Sequence, residues 1–204
     1  MGLLSSSVSI TRYQVQGKLE KPILETIAAG LKKYTISEID DPTLDKAVGW
    51  TSFKKPYQPD FGGSSFAYGN YLVFSLRIDR KTVPAKLVKK HVVIESDKRL
   101  AESGRLYLSR SEKERIRDQV MDRLYATVPA TPSIYDLIWN YEETTVWFFS
   151  NLKASNEELE TLFLRSFDLT LIRMIPYTAA HYASDLKSTE KDILLELSRT
   201  SFAG

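Results

Sequence analysis

The chain has 204 residues, 43% of them apolar and 26% charged, with 28 Lys or Arg set against 26 Asp or Glu. That ordinary globular mixture suits one domain or a compact pair of subdomains. It holds no cysteine, which excludes disulfide scaffolds, thiolate zinc sites, iron–sulfur clusters and cysteine nucleophiles.

In chain order, residues 7–15 are rich in β-branched side chains and partly alternate, which predicts a strand. Pro22 suits the first turn of a helix carrying Ile23, Leu24, Ile27, Leu31 and Tyr34 on one face. Residues 36–44 form a turn-prone acidic loop around Asp40, Asp41 and Pro42, and residues 47–53 a short strand centred on Gly49-Trp50. Pro56, Pro59, Gly62 and Gly63 mark 54–65 as a loop, and the alternation over 66–78 predicts one long strand.

Pro84 opens a helix whose Leu87, Val88, His91, Val92 and Ile94 share one arc, with Lys86, Lys89 and Lys90 opposite. Gly104 separates it from a second helix. Ser109 and Glu112 form a capping-box pattern there, followed by an Ile116, Val120, Leu124 seam. Residues 84–125 therefore read as a helical hairpin.

A loop over 127–133 leads to an aromatic β-hairpin, 134–151, turning at Glu142-Glu143-Thr144. Ser155 with Glu158 predicts a second capping box, on a helix burying Leu159, Leu162 and Phe163. A strand over 169–175 and an amphipathic piece over 190–197 complete the chain.

The order β-α-β-β, helical hairpin, β-β-α-β implies an α+β fold with mainly antiparallel sheet. We read three segments: an N-terminal unit (1–81), an inserted basic hairpin (82–126) and a C-terminal unit with its tail (127–204).

Charge placement says more than the total. Between Arg77 and Arg123 fourteen basic residues face eight acidic ones, a net +6, whereas the remainder carries fourteen and eighteen, a net −4. Such asymmetry focuses positive potential and points to a polyanionic partner, although solvated helical hairpins are often charge-rich without one. The strongest candidates for phosphate contact are Lys86, Lys89, Lys90, Arg110, Lys113 and Arg117, with Arg77 and Lys81 at the strand-to-helix junction as secondary candidates.

Catalytic signals are weak. His91 and His181 are the only histidines, and neither has a neighbouring ligand type at zinc spacing. Gly62-Gly63-Ser64-Ser65 lacks the lysine and helix of a phosphate-binding loop. Glu38, Asp40, Asp41 and Asp45, or Glu142-Glu143, could serve a metal-dependent nuclease only by converging, and turn or cap roles explain them more simply. Trp50, Trp139, Trp147, Phe148 and Phe149 read as core, while Tyr57 and Phe61 either stack on exposed bases or anchor their loop.

Several patterns, taken together, resemble the recombination-associated RdgC family over about residues 45–177. They are Gly49-Trp50, the strand ending at Arg77, Lys81 with Val83-Pro84, and the Lys-rich helix. The charged run from Ser111 to Val120, the hairpin around Trp139, the helix from Ser155 and a strand closing at Pro176 follow in order. The resemblance implies a bacterial homodimer that binds double-stranded DNA without strong sequence preference, encircles it and restrains RecA-dependent recombination. Single-stranded DNA is left open as a second form.

The resemblance further implies a cytoplasmic, nucleoid-associated protein. No run approaches the roughly 18 apolar residues of a membrane helix, and Met1 to Ile10 is too short and serine-rich for a signal peptide. No cofactor, metal or membrane partner is expected. Family members carry an exonuclease label, for which the sequence offers no active site. They also continue beyond position 204, so ring closure is not carried over to this short form. Val128-Pro129-Ala130-Thr131 replaces the family's Pro-Arg-Ala-Phe-like stretch. The readings that remain are a non-enzymatic DNA binder, a metal-dependent exonuclease, and a protein-interaction module that never touches DNA.

Overall fold

The computed structural model describes residues 2–39, 44–63, 65–182 and 186–196. Seven antiparallel strands form one sheet: β1 (Thr11–Gln16), β2 (Lys46–Thr51), β3 (Ala67–Tyr68), β4 (Tyr71–Arg80), β5 (Thr131–Asn140), β6 (Thr145–Phe148) and β7 (Thr170–Arg173). Their order is β2-β4-β5-β6-β1-β7, with β3 paired to β4. Helices α1 (Ile23–Lys33) and α4 (Lys153–Phe167) pack together against it. Helices α2 (Ala85–Ser103) and α3 (Arg110–Thr127) form the hairpin, and short α5 (Pro176–Tyr182) and α6 (Ser188–Glu196) follow β7. The class is α+β.

Strand β1 sits between β6 and β7, with Tyr13 opposite both Val146 and Arg173. Strands from residues 1–81 and 127–204 thus share one sheet over one core, with β1 interleaved between β6 and β7. That core is aromatic. Trp50 meets Phe74 edge-on at 5.1 Å and stacks on Phe167 at 5.9 Å, while Trp139 meets Phe163 at 4.9 Å. Edge-to-face pairs of this kind contribute about 0.5–1.5 kcal/mol beyond the area they bury. The close approach of α1 to α4 depends on Gly30, where a Cβ would lie 2.5 Å from the Ser166 carbonyl oxygen.

Some elements differ from their sequence reading. Residues 66–78 are two strands, because Gly69, at φ +62°, turns β3 back onto β4. The loop expected over 127–133 shrinks to three residues: α3 runs to Thr127, and β5 begins at Thr131 despite Pro132. Ser155 does not cap α4. It lies inside the first turn, buried, donating to the Leu152 carbonyl at 2.9 Å, while Glu158 pairs with Lys46 at 2.5 Å. Trp147 is 42% exposed rather than buried, since β6 turns it away from the α1/α4 face on which its neighbours Val146 and Phe148 are buried. Leu197, the last position of the expected amphipathic piece, lies outside the described residues, as do Asp40, Asp41 and Pro42 of the acidic loop.

Candidate nucleic-acid interface

The longest pairing in the sheet explains where the hairpin projects. β4 and β5 pair without interruption from Tyr71↔Asn140 to Arg80↔Thr131, and residues 81–130 are the connection at the end of that ribbon. Gly104 ends α2 in the left-handed conformation, φ +64°, where a side chain is disfavoured. Ser109 then starts α3 with the full capping box. Its hydroxyl accepts from the Glu112 N–H at 3.3 Å, and the Glu112 carboxylate accepts from the Ser109 N–H at 2.9 Å. Arg105 Nη2 donates to the same carboxylate at 2.6 Å. Glu112 is held down to about 2, first by Arg105 and then by the Ser109 N–H and hydroxyl.

The two helices have their own small core. Leu108, Ile116, Val120 and Leu124 are buried, with Val83, Leu87, Val88, Val92 and Leu100 packed against them. Each fully buried aliphatic side chain contributes roughly 1.5–3 kcal/mol. Two helices cover only a narrow seam, so Ile94, on the edge of the expected arc, is 51% exposed and His91 half-buried.

The seam leaves the cations outside. Lys86, Lys89, Lys90, Arg110, Lys113 and Arg117 are all exposed. Arg110 meets Glu114 at 3.3 Å, an i,i+4 pair in open solvent worth only about 0.3–0.5 kcal/mol. The other five make no ion pair with a described residue. The ion pairs within the hairpin are instead Arg105–Glu112, Arg110–Glu114 and Arg123–Glu95, the last at 3.9 Å. Lys89 and Arg117 line an open groove of about 350 Å³ between the helices together with Val83, Ala85, Val88, Val92 and Met121. Arg110, Arg117 and Met121 recur at helical spacing along one stripe of α3.

Arg77 and Lys81 are placed elsewhere. Arg77 is 5% exposed in β4. It donates from Nε and Nη2 to both carboxylate oxygens of Asp79, at 2.8 and 2.6 Å, and to Glu38 at 3.1 Å. The Tyr57 ring covers it at 5.6 Å. The Asp79 hydrogen bonds raise its pKa further. Lys81 is 8% exposed, its N–H bonded to the Asp45 carbonyl at 2.8 Å. Neither joins the exposed set on α2 and α3.

Of the loop aromatics, Phe61 is buried against Phe66, whereas Tyr57 is 63% exposed over Arg77. Glu38 is engaged by Arg77, and Glu142 accepts from Asn70. Among the described residues no group of three or more His, Asp or Glu side chains is placed to hold a metal ion. Sequence reasoning missed the groove floor: Val83, Ala85 and Met121. The available signal was Met121 one turn beyond Arg117 on the same stripe.

Residues 9–184 match the family model described as "Putative exonuclease, RdgC". The chain belongs to the RdgC family. The match spans every strand of the sheet and the whole helical hairpin. At family level it supports a recombination-associated, nucleic-acid-binding role. No curated protein matches the chain. None of the described helices of this RdgC-family chain is long and apolar enough to cross a membrane.

Proposed function

We propose that the chain binds the DNA backbone without base-sequence preference through the α2–α3 hairpin, and thereby modulates RecA-dependent recombination. Double-stranded DNA is the primary partner and single-stranded DNA the second. The active form is a nucleoid-associated, cytoplasmic homodimer without catalytic activity.

One observation carries this reading: Lys86, Lys89, Lys90, Lys113 and Arg117 stand exposed on two rigid helices without a carboxylate partner among the described residues. Unneutralised cations at fixed spacing release counterions when they meet phosphates, which supplies affinity without reading bases. Arg77 and Lys81, buried at the junction, support the base of the hairpin in this scheme instead of touching phosphate.

Retardation of random duplex and single-stranded oligonucleotides at low salt tests it. Changing Lys86, Lys89 and Lys90 together to Glu abolishes the shifted band while leaving the thermal melt in place; an unchanged band removes α2 from the interface. The family description names an exonuclease. End-labelled DNA incubated with magnesium or manganese is expected to stay intact, and nucleotide release that co-purifies with the protein would overturn the non-enzymatic part of the reading.

A further inference from the structure

The groove between α2 and α3 has a feature that phosphate binding leaves unused. Its floor of Val88, Val92 and Met121 is apolar, and its lining residues include no carboxylate. A hydrated phosphodiester gains nothing from such a floor, and the bases of a duplex are stacked out of reach. At about 350 Å³ the groove lies at the small end of ligand pockets, enough for one large apolar side chain. Lys89 and Arg117 in its lining make no ion pair among the described residues, whereas the hairpin carboxylates Glu95, Glu112 and Glu114 are taken by Arg123, Arg105 and Arg110.

Charge complementarity therefore selects the occupant. We propose that this groove docks an acidic–apolar peptide segment of a partner protein, one aromatic or aliphatic side chain on the floor with carboxylates on Lys89 and Arg117. On the proposed function, on which this clause rests, the peptide and DNA compete for the same two cations. A second copy of this chain fits less well. Among the described residues, its three most exposed apolar side chains are Leu106, Leu4 and Tyr107, at 91%, 87% and 79%. Leu106 and Tyr107 lie between Arg105 and Arg110, so cations would meet cations, and Leu4 has no acidic residue within ten positions along the chain.

The test uses the full chain and a fluorescent peptide, acetyl-Glu-Asp-Glu-Phe-Asp-Glu, followed by anisotropy at low salt. Saturable binding is expected, weakened at least tenfold when Phe is replaced by Ser. Met121→Gln, which leaves both cations and the buried seam in place, weakens the peptide at least fivefold and leaves affinity for a random duplex within twofold. Val92→Thr does the same, with a thermal melt to show that the hairpin remains folded. Arg117→Gln weakens both ligands.

Equal binding of the Phe and Ser peptides would overturn the proposal by reducing it to nonspecific charge attraction. So would absent peptide binding, whether or not the chain self-associates through the groove in a Met121-dependent way. Peptide binding without DNA binding would leave the docking site standing and remove the proposed DNA function. DNA binding undisturbed by saturating bound peptide would keep both sites and overturn the competition.

Discussion

The sheet interior and the helical hairpin treat charge in opposite ways. In the sheet, Arg77 is almost fully buried, and both Asp79 carboxylate oxygens and Glu38 bind its guanidinium. In the hairpin, the apolar seam occupies the only buried ground and most lysines face water with no partner among the described residues. Burial forces pairing, because an isolated ion loses several kcal/mol of solvation. Exposure permits a charge to remain uncommitted, and only an uncommitted charge is available to a polyanion. The lesson is that cations near the same strand-to-helix junction serve different ends according to depth.

The strongest way to break this contrast lies in the core. Phe163→Ala, beneath Trp50, Trp139 and Phe167, is expected to cost about 3–5 kcal/mol by denaturant titration. A loss below about 1 kcal/mol would mean that the aromatic cluster does not hold the sheet to its helices. Asp79→Ala comes next. It leaves Arg77 buried beside Glu38 alone, and a loss of about 3 kcal/mol is expected by the same titration. If stability barely moves, Arg77 is reaching solvent, and it returns to the set of candidate phosphate contacts.

The hairpin yields smaller effects. Ser109→Ala removes the α3 cap and is expected to lower stability by about 1 kcal/mol. Hydrogen exchange should show the loss concentrated in residues 110–127. Glu112 adds a pH signature with a definite sign. Its pKa is depressed in the folded state, so its contribution is fully present above the ordinary carboxylate pKa. It fades as the pH falls through about 2. Protection factors in α3, corrected for the intrinsic exchange rate at each pH, should therefore fall on acidification in the native chain and less so in Glu112→Gln. The smallest effect belongs to Trp147→Ser on the exposed side of β6, within about 0.5 kcal/mol in a melt.

Much of this was legible along the chain. Pro22, Pro84, Gly104 and the Ser109–Glu112 spacing located helix ends because caps and φ constraints act within a few residues. The Ile116, Val120, Leu124 seam followed from helical periodicity alone. What stayed hidden depends on distant partners. The insertion of β1 between β6 and β7 joins residues more than 130 apart, and no local pattern encodes it. Ser155 looks like a cap but is buried beside Ser150, whose hydroxyl lies 2.8 Å away, and Lys46 draws off Glu158. Arg77 sits in an alternating strand, yet β4 is buried on both faces, so alternation does not reveal that its side chain is enclosed.

The candidate cations on α2 and α3 were visible as residue types on a solvated arc. The groove that Lys89 and Arg117 share was not, since it requires knowing how two antiparallel helices are set against each other.

The most direct test of the cationic hairpin is the salt dependence of its affinity for a random duplex, compared between the native chain and a variant with Lys86, Lys89 and Lys90 changed to Gln. If the three lysines meet phosphates, the slope of log affinity against log salt becomes shallower by roughly 0.9 per lysine lost. Coincident slopes, with both proteins folded, would contradict the account.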